Sequence, residues 1–533
     1  MTQLASAIEY VVRCAAPQDA RAYRLPYLDG CLVVLYFQDL SVAEKYTFSL
    51  KHEPNLQAKL AAFPYQAEAV DFVAERQFSA IFHEQGLGKT KIAIDVALKW
   101  LGDRAIDTVI IFTKKSLIAN WERELHQHTH LRPQVLSANA SRNYYVFTTP
   151  CRFILAHFEV AKKEERRLVA YLRSRKVAVF IDESAKLKNP DADLTQVFFR
   201  LSALFTRRVI MTGTPVANRP FDIWAQIFFL DRGETLGQDF ATFRQSMDLS
   251  KELAGDSMEA AKYAKRLADV NAALKSIAVR ETKDGGRIQL PEKEFRRIEC
   301  TWEPAQRALY TQVKHELRAA IVRDGKLVED DQDVVLKRLL RLIQIAANPG
   351  IIDDCYRAEP GKYGTLYDLC TDITRNEEKL IVWTSFNRNA EWLAKKLSPF
   401  GSLVLHGQLP MDRRNQVVKW FLENPRDRVL VATPGAAKEG LTLTVANHVV
   451  FFDRTYSLDD YLQAQDRIHR VSQTRTCFVY TLVMQDSVDE WIESLIESKK
   501  LAAQLTQGDI DAETYAQKAQ YSFVEILERV LGD

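Results

Sequence analysis

The chain has 533 residues, 47% hydrophobic and 27% charged, with a formal net charge of +2. That length exceeds a single hydrophobic core and predicts two or more domains. No apolar run approaches the ~18 residues that cross a bilayer, and MTQLASAIEY lacks the pattern of a secretion signal, which argues against a membrane role and makes the cytoplasm the expected compartment.

Near-neutral charge means that any nucleic-acid groove must arise from local clustering. The cysteines Cys14, Cys31, Cys151, Cys300, Cys355, Cys370 and Cys477 are scattered singly, so neither zinc nor a disulfide frame is expected. Residues 1–60 hold one apolar run, Cys31 to Phe37, and read as an accessory element. Beyond them, short β-branched and apolar runs alternate with helix-like stretches, the pattern of parallel strands buried on both faces. A first set comprises Ala80 to Phe82, Thr108 to Phe112, Val177 to Ile181 and Arg208 to Met211. A second comprises Leu380 to Trp383, Ser402 to Leu405, Val429 to Val431, His448 to Phe452 and Phe478 to Leu482. Two sets separated by a strand-poor interval predict an α/β fold of two lobes, residues 61–220 and 363–500. The interval 221–362 reads as helical insertions, with helical spacing in Val334 to Ala347, and 501–533 as a helical tail.

After Ala80 to Phe82 comes HEQGLGKT and then the helix-compatible KIAIDVALKW. In a strand, glycine loop, helix order, Gly86 and Gly88 let backbone amides curl around a polyphosphate. Lys89 contacts the outer phosphates, Thr90 holds magnesium, and the helix amino terminus adds its dipole. The strict loop pattern wants glycine at His83, and a glycine-bearing turn before a surface helix is the plainer alternative. About ninety residues on, Val177 to Ile181 runs into Asp182 and Glu183, at a strand's carboxyl end where α/β ligands collect. Taken alone the acids would read as a solvated turn or helix cap. Behind a phosphate loop, Asp182 is expected to support the metal and Glu183 to orient or activate the attacking water. Arg467 and Arg470 lie three apart, which predicts one face of a helix. They would place positive charge where negative charge develops at the γ-phosphate, against the alternative of a solvated salt-bridging face.

The ordered set of motifs resembles the Swi/Snf-type DNA translocases of helicase superfamily two, over most of the chain. PYQAEAVDFV looks like the family's opening motif, in which the residue matching Gln66 recognises adenine. HEQGLGKT resembles DEMGLGKT, with His83 in place of Asp and Leu87 inside the loop. TKKSLIANWEREL is similar to a DNA-contact motif, with Lys114 where Pro is common. DESAKLKN resembles DEAHRLKN, with Ala185 in place of His. MTGTPVANRP resembles the motif that couples nucleotide state to the DNA track. RETKDGGRIQLPEK and RLIQIAANP follow, the latter with Asn348 in place of His. Then come IVWTSFNRN, LHGQLPMDRRNQVVKWF, ATPGAAKEGLTLTVANHVVFFD and YLQAQDRIHRVSQT, the last resembling QAMDRAHRIGQT with Ser472 in place of Gly.

This resemblance implies two RecA-like P-loop lobes that close on ATP and Mg2+. The first would supply Gln66, Gly86, Leu87, Gly88, Lys89, Thr90, Asp182 and Glu183, and the second Arg467 and Arg470. Coupling falls to Thr212, Gly213, Thr214, Gly440 and Gln463, and DNA contacts to Lys114, Lys115, Ser116, Asn387 and Thr433. Trp121 reads rather as a packing residue. With Ala185 replacing His, hydrolysis is expected to survive while coupling to Thr212 and Thr214 uses other contacts. The function implied is an ATP-dependent translocase on double-stranded DNA, moving along it or remodelling or reannealing it. Its alternatives are a strand-separating helicase and, from another class, a DNA-binding scaffold with a vestigial ATPase. The compact length suggests a bacterial or viral member, and residues 1–60 and the insertion from about Phe221 to Gln289 are expected to set the DNA structure or protein partner.

Overall fold

A computed structural model describes residues 21–24, 33–36, 54–148, 151–216, 219–247, 257–283, 287, 290–323, 326–327, 332–437, 441–470 and 472–518, and the statements below concern these. Most of the accessory region, Gly440 and the tail beyond residue 518 lie outside them. The described residues fall into two units. One draws on Met1–Val216, Phe221–Met247 and Asp269–Arg287, and the other on Ala217–Pro220, Asp248–Ala268 and Ile288–Asp533.

Strands are numbered in chain order. A short antiparallel pair, β1 (Arg21–Arg24) and β2 (Val33–Tyr36), precedes the first large sheet. That sheet contains β3 (Phe78–Ile81), β4 (Thr108–Thr113), β5 (Gln134–Leu136), β6 (Phe153–His157), β7 (Val177–Asp182), β8 (Arg207–Met211) and β9 (Ala278–Val279). Its order is β5-β6-β4-β7-β8-β3-β9, and every ladder is parallel. Every residue of β4 is buried, because a parallel strand between helical layers has no wet face. On one face Ile81, Val109, Ile111 and Phe180 pack with the helices Pro64–Ala74, Lys89–Gly102 and Ile118–His128. Phe112, which alternation turns to the opposite face, meets Phe198 edge-on at 5.0 Å, and Phe198 meets Phe229 at 6.0 Å.

After a two-residue pair, β11 (Val322–Arg323) with β12 (Lys326–Leu327), the second large sheet gathers β13 (Leu380–Trp383), β14 (Ser402–Leu405), β15 (Val429–Ala432), β16 (His448–Phe451) and β17 (Cys477–Met484). Its edge is β10 (Lys293–Cys300), and the order β10-β17-β16-β13-β15-β14 is again wholly parallel. Ile381, Trp383, Leu430, Val449, Phe451 and Val479 form its core with Val417 and Phe421 of the helix Met411–Glu423. Two parallel sheets flanked by helices are the fold class the sequence predicts. The interval between the two strand sets is not purely helical, since β9 and β10 lie in it and each completes a sheet.

Candidate active site

The three elements that carry the first unit's motifs leave one level of one sheet. Ile81 pairs with Met211 and Met211 with Asp182, so the ends of β3, β8 and β7 form a row. The segments that follow, His83–Gly88, Thr212–Thr214 and Glu183, therefore emerge side by side at the carboxyl edge, where parallel sheets present ligand loops.

The glycine loop has the backbone its sequence demands. Gly86 (φ 87°) and Gly88 (φ 74°) are left-handed, a conformation that glycine adopts without steric cost. A Cβ on Gly88 would lie 2.2 Å from Gln66 Nε2, and one on Gly213 would lie 2.6 Å from Gln85 Cγ and 3.2 Å from Lys89 Nζ. At both places the absence of a side chain lets the backbone pack directly against Gln66, Gln85 and Lys89. Lys89 Nζ donates to the carbonyls of His83 (2.9 Å) and Glu84 (3.1 Å), which holds the ammonium over the loop. Thr90 is half-buried in the first helical turn beside it.

Gln66, the residue expected to recognise adenine, lies in the helix Pro64–Ala74 against the glycine loop. It is 4% exposed. Its Oε1 accepts from Phe63 N (3.0 Å) and its Nε2 donates to Leu87 O (3.3 Å), as does Tyr65 OH (3.2 Å). The carboxamide ties the loop to its neighbouring helix, while Leu87 itself is fully buried.

His83 is also internal, at 1% exposure, and its ring lies 6.0 Å from that of Tyr65. Both nitrogens fall outside ordinary hydrogen-bond geometry, with only a weak approach to the Val279 backbone. Burial first, and then the charge of Lys89, hold its pKa down to about 4. Protons bind the unfolded histidine more readily than the folded one, so stability rises with pH across this window. The loss starts as pH falls below the ordinary 6.5 and is complete under about 4. At pH 5 it amounts to roughly 2 kcal/mol. Urea unfolding of the chain and of His83→Gln at pH 7.5 and pH 5 should show that excess loss only in the former. Equal pH dependence in both would refute a buried neutral ring.

The acid pair is rigidly built. Asp182 Oδ2 accepts from Thr113 Oγ1 (3.0 Å) and from Trp121 Nε1 (2.8 Å). Trp121 is buried, as a packing residue would be, but its indole N–H orients the carboxylate. Burial, reinforced by the charge of Glu183, raises the Asp182 pKa against those donors and Lys89. Such a carboxylate gains most from an arriving cation. Glu183 is one of few non-glycine residues at positive φ (56°), a strained backbone of the kind that clusters at functional sites. Its Oε2 lies 3.9 Å from Lys114 Nζ.

Thr214 N donates to Thr212 Oγ1 (3.2 Å), and both threonines are buried. Sequence reading missed Gln226, in the helix Trp224–Asp231, which touches both neighbouring segments. Ser184 Oγ donates to its Oε1 (2.7 Å), and its Nε2 donates to the carbonyls of Pro215 and Asp222 (3.0 Å each). A polar residue among the apolar side chains of WAQIFFL was the available signal.

In the second unit, Trp383 pairs with Ala432 and Phe451, so their strands also end in a row. Arg467 and Arg470 do not share a helix, because the helix Leu458–Gln465 stops before them. Gln473 Nε2 takes the carbonyls of Ile468, Ala446 and Thr444, and the fully buried Ile468 is held in the core. That packing overrides helical continuation. The two arginines still converge on one segment. Arg467, 2% exposed, donates to Leu441 O (3.3 Å), and the half-buried Arg470 donates to Thr442 Oγ1 (2.8 Å) and Asp466 O (2.9 Å).

Gln463 is buried and bonds Asp459 (2.6 Å). Of the expected DNA contacts, Lys115 is exposed, whereas Lys114, Ser116 and Asn387 are half-buried. Thr433 is buried, with its N–H on Leu405 O. No described helix is long and apolar enough to cross a membrane.

A glycine loop and lysine after β3 and a buried acid at the end of β7, with β8 between the two parallel strands, form a phosphate-binding α/β unit. Residues 65–351 match the SNF2-related domain and residues 361–472 the helicase conserved C-terminal domain, and the chain belongs to the SNF2-related family. Among curated relatives it is 25% identical to the putative ATP-dependent helicase/translocase YwqA of Bacillus subtilis, over 86% of this chain and 50% of that one. It is 24% identical to the mouse DNA annealing helicase and endonuclease ZRANB3, over 89% of this chain and 43% of that protein. It is also 24% identical to the mouse DNA repair and recombination protein RAD54-like, over 90% and 71%. The chain spans about half the length of the first two of these. A Sulfolobus solfataricus SWI2/SNF2 ATPase core in complex with double-stranded DNA is similar with a TM-score of 0.40 at 23% identity, covering 91% of this chain and 99% of that one.

Proposed function

We propose that the chain is an ATP-dependent translocase on double-stranded DNA, which hydrolyses ATP to move along the duplex or to remodel or reanneal it. The observation that carries this reading is the row formed by the ends of β3, β8 and β7, which sets Lys89, Thr212–Thr214 and Asp182–Glu183 side by side. The names of the relatives, a helicase/translocase and an annealing helicase, lend it a substrate.

In this reading the backbone amides around Gly86 and Gly88 cradle the phosphates and Lys89 leaves its loop carbonyls for the outer ones. Thr90 and Asp182 would hold Mg2+, and the Thr113 and Trp121 donors keep the carboxylate aimed. The cation supplies neutralisation of the phosphate charge. Glu183 orients the attacking water and takes its proton. Arg467 and Arg470 are proposed to answer the charge that grows on the γ-phosphate. Gln66 is proposed to contact the adenine from the position in which it ties the loop. Lys114, Lys115, Ser116, Asn387 and Thr433 are proposed to lie along the DNA track, and Gly440 and Gln463 to serve coupling.

The reading is tested by displacement of a triplex-forming strand from duplex DNA. ATP-dependent release without unwinding of a forked duplex is the expected result. Fork unwinding at a comparable rate would favour a strand-separating helicase instead.

A further inference from the structure

The family form DEAHRLKN carries a histidine where this chain has Ala185, and an alanine where it has Ser184. The link from the acidic strand end to the threonine segment must therefore run elsewhere. Gln226 is fully buried, and the two carbonyls on its Nε2 fix which way the carboxamide faces, since a flipped amide would set Oε1 against both. Its Oε1 then receives the Ser184 hydroxyl, one residue after Glu183, while its Nε2 holds Pro215, one residue after Thr214. Both donors are used inside the protein, where an unmet polar group costs more than a bond gains.

We propose that the Ser184–Gln226–Pro215 bridge is the coupling contact of this chain, with Gln226 the positioning residue that makes the state of Glu183 and of Thr212–Thr214 interdependent. The proposal rests on reading the site as a DNA-stimulated ATPase. A two-ended bridge predicts that cutting either end has one consequence, and that cutting both adds nothing further.

The test uses the full chain and its Ser184→Ala, Gln226→Leu and doubly substituted forms. Thermal unfolding, ATPase without DNA, and ATPase with saturating duplex DNA are measured on each. Ser184→Ala removes one hydroxyl and keeps the design testable should Gln226→Leu, which strands two buried carbonyls, fail to fold. The expected result is a basal rate within about twofold of the unchanged chain and a fall of about tenfold in stimulation by duplex, within the usual range of site-to-site coupling. The double form should be no worse than either single form. Full stimulation in Ser184→Ala, or a proportionate loss of basal and stimulated rates, would overturn the bridge as a coupling device. An unchanged chain whose ATPase ignores DNA would sink the translocase reading and the bridge together, whereas a stimulated chain with insensitive variants sinks the bridge alone.

Discussion

Glu183→Gln should lower ATP turnover by about a thousandfold while leaving ATP binding within a few-fold of the unchanged chain. The substitution keeps the shape of the side chain and removes only its charge and basicity, and a positioned general base contributes about 10²–10⁴ in rate. Binding survives for a reason specific to this site. The charge of Glu183 is one of the two leading causes that push the Asp182 pKa up, so its removal favours the ionised Asp182 that would hold the metal. Rapid-quench ATPase and fluorescent-nucleotide titration of both proteins check the two halves of the statement. Turnover unchanged in Glu183→Gln would leave the scaffold with a vestigial site as the better reading.

Arg470→Ala is expected to have an effect of similar size. An arginine that answers transition-state charge is worth about 10³–10⁵ in rate, and Arg470 is the more accessible of the pair. Its contacts with Thr442 and Asp466 hold the guanidinium in one orientation. ATP affinity should stay within a few-fold while kcat collapses. Arg467→Ala should behave differently. Its guanidinium is buried against Leu441 O, and losing it strands that carbonyl and opens space, so the melting temperature should fall along with the rate. Loss of ATP binding in Arg470→Ala, or identical behaviour of the two variants, would contradict this division of roles.

Most central strands were legible because burial on both faces leaves short, continuous apolar runs. Leu380–Trp383 begins and ends where its apolar residues do. β10 was not legible. KEFRRIEC is mostly charged because it lies at a sheet edge, with Phe295 60% exposed, and its pairing with β17 is a tertiary fact. β6 escaped for another reason, since only His157 separates its apolar residues from those of the helix Phe158–Lys163.

At the site, residue types and order fixed the loop and the acid pair, whereas partnerships were hidden. Spacing of three suggested a helix through Arg467 and Arg470, but Gln473 takes the Ile468 carbonyl that such a helix would use. Trp121 looked like core because indole rings usually are; its bond to Asp182 joins residues 61 positions apart. Gln226 stands 42 positions from Ser184, in no motif.

The central claim is that the phosphate site serves a motor on duplex DNA. Its most direct test is the steady-state ATPase of the full chain with no nucleic acid, single-stranded DNA, duplex DNA, forked DNA and RNA, each at saturating ATP and Mg2+. The account predicts a low basal rate raised most by plain duplex, with the fork adding nothing and RNA without effect. A rate indifferent to all of them, or raised by single strands or RNA and not by duplex, would contradict it.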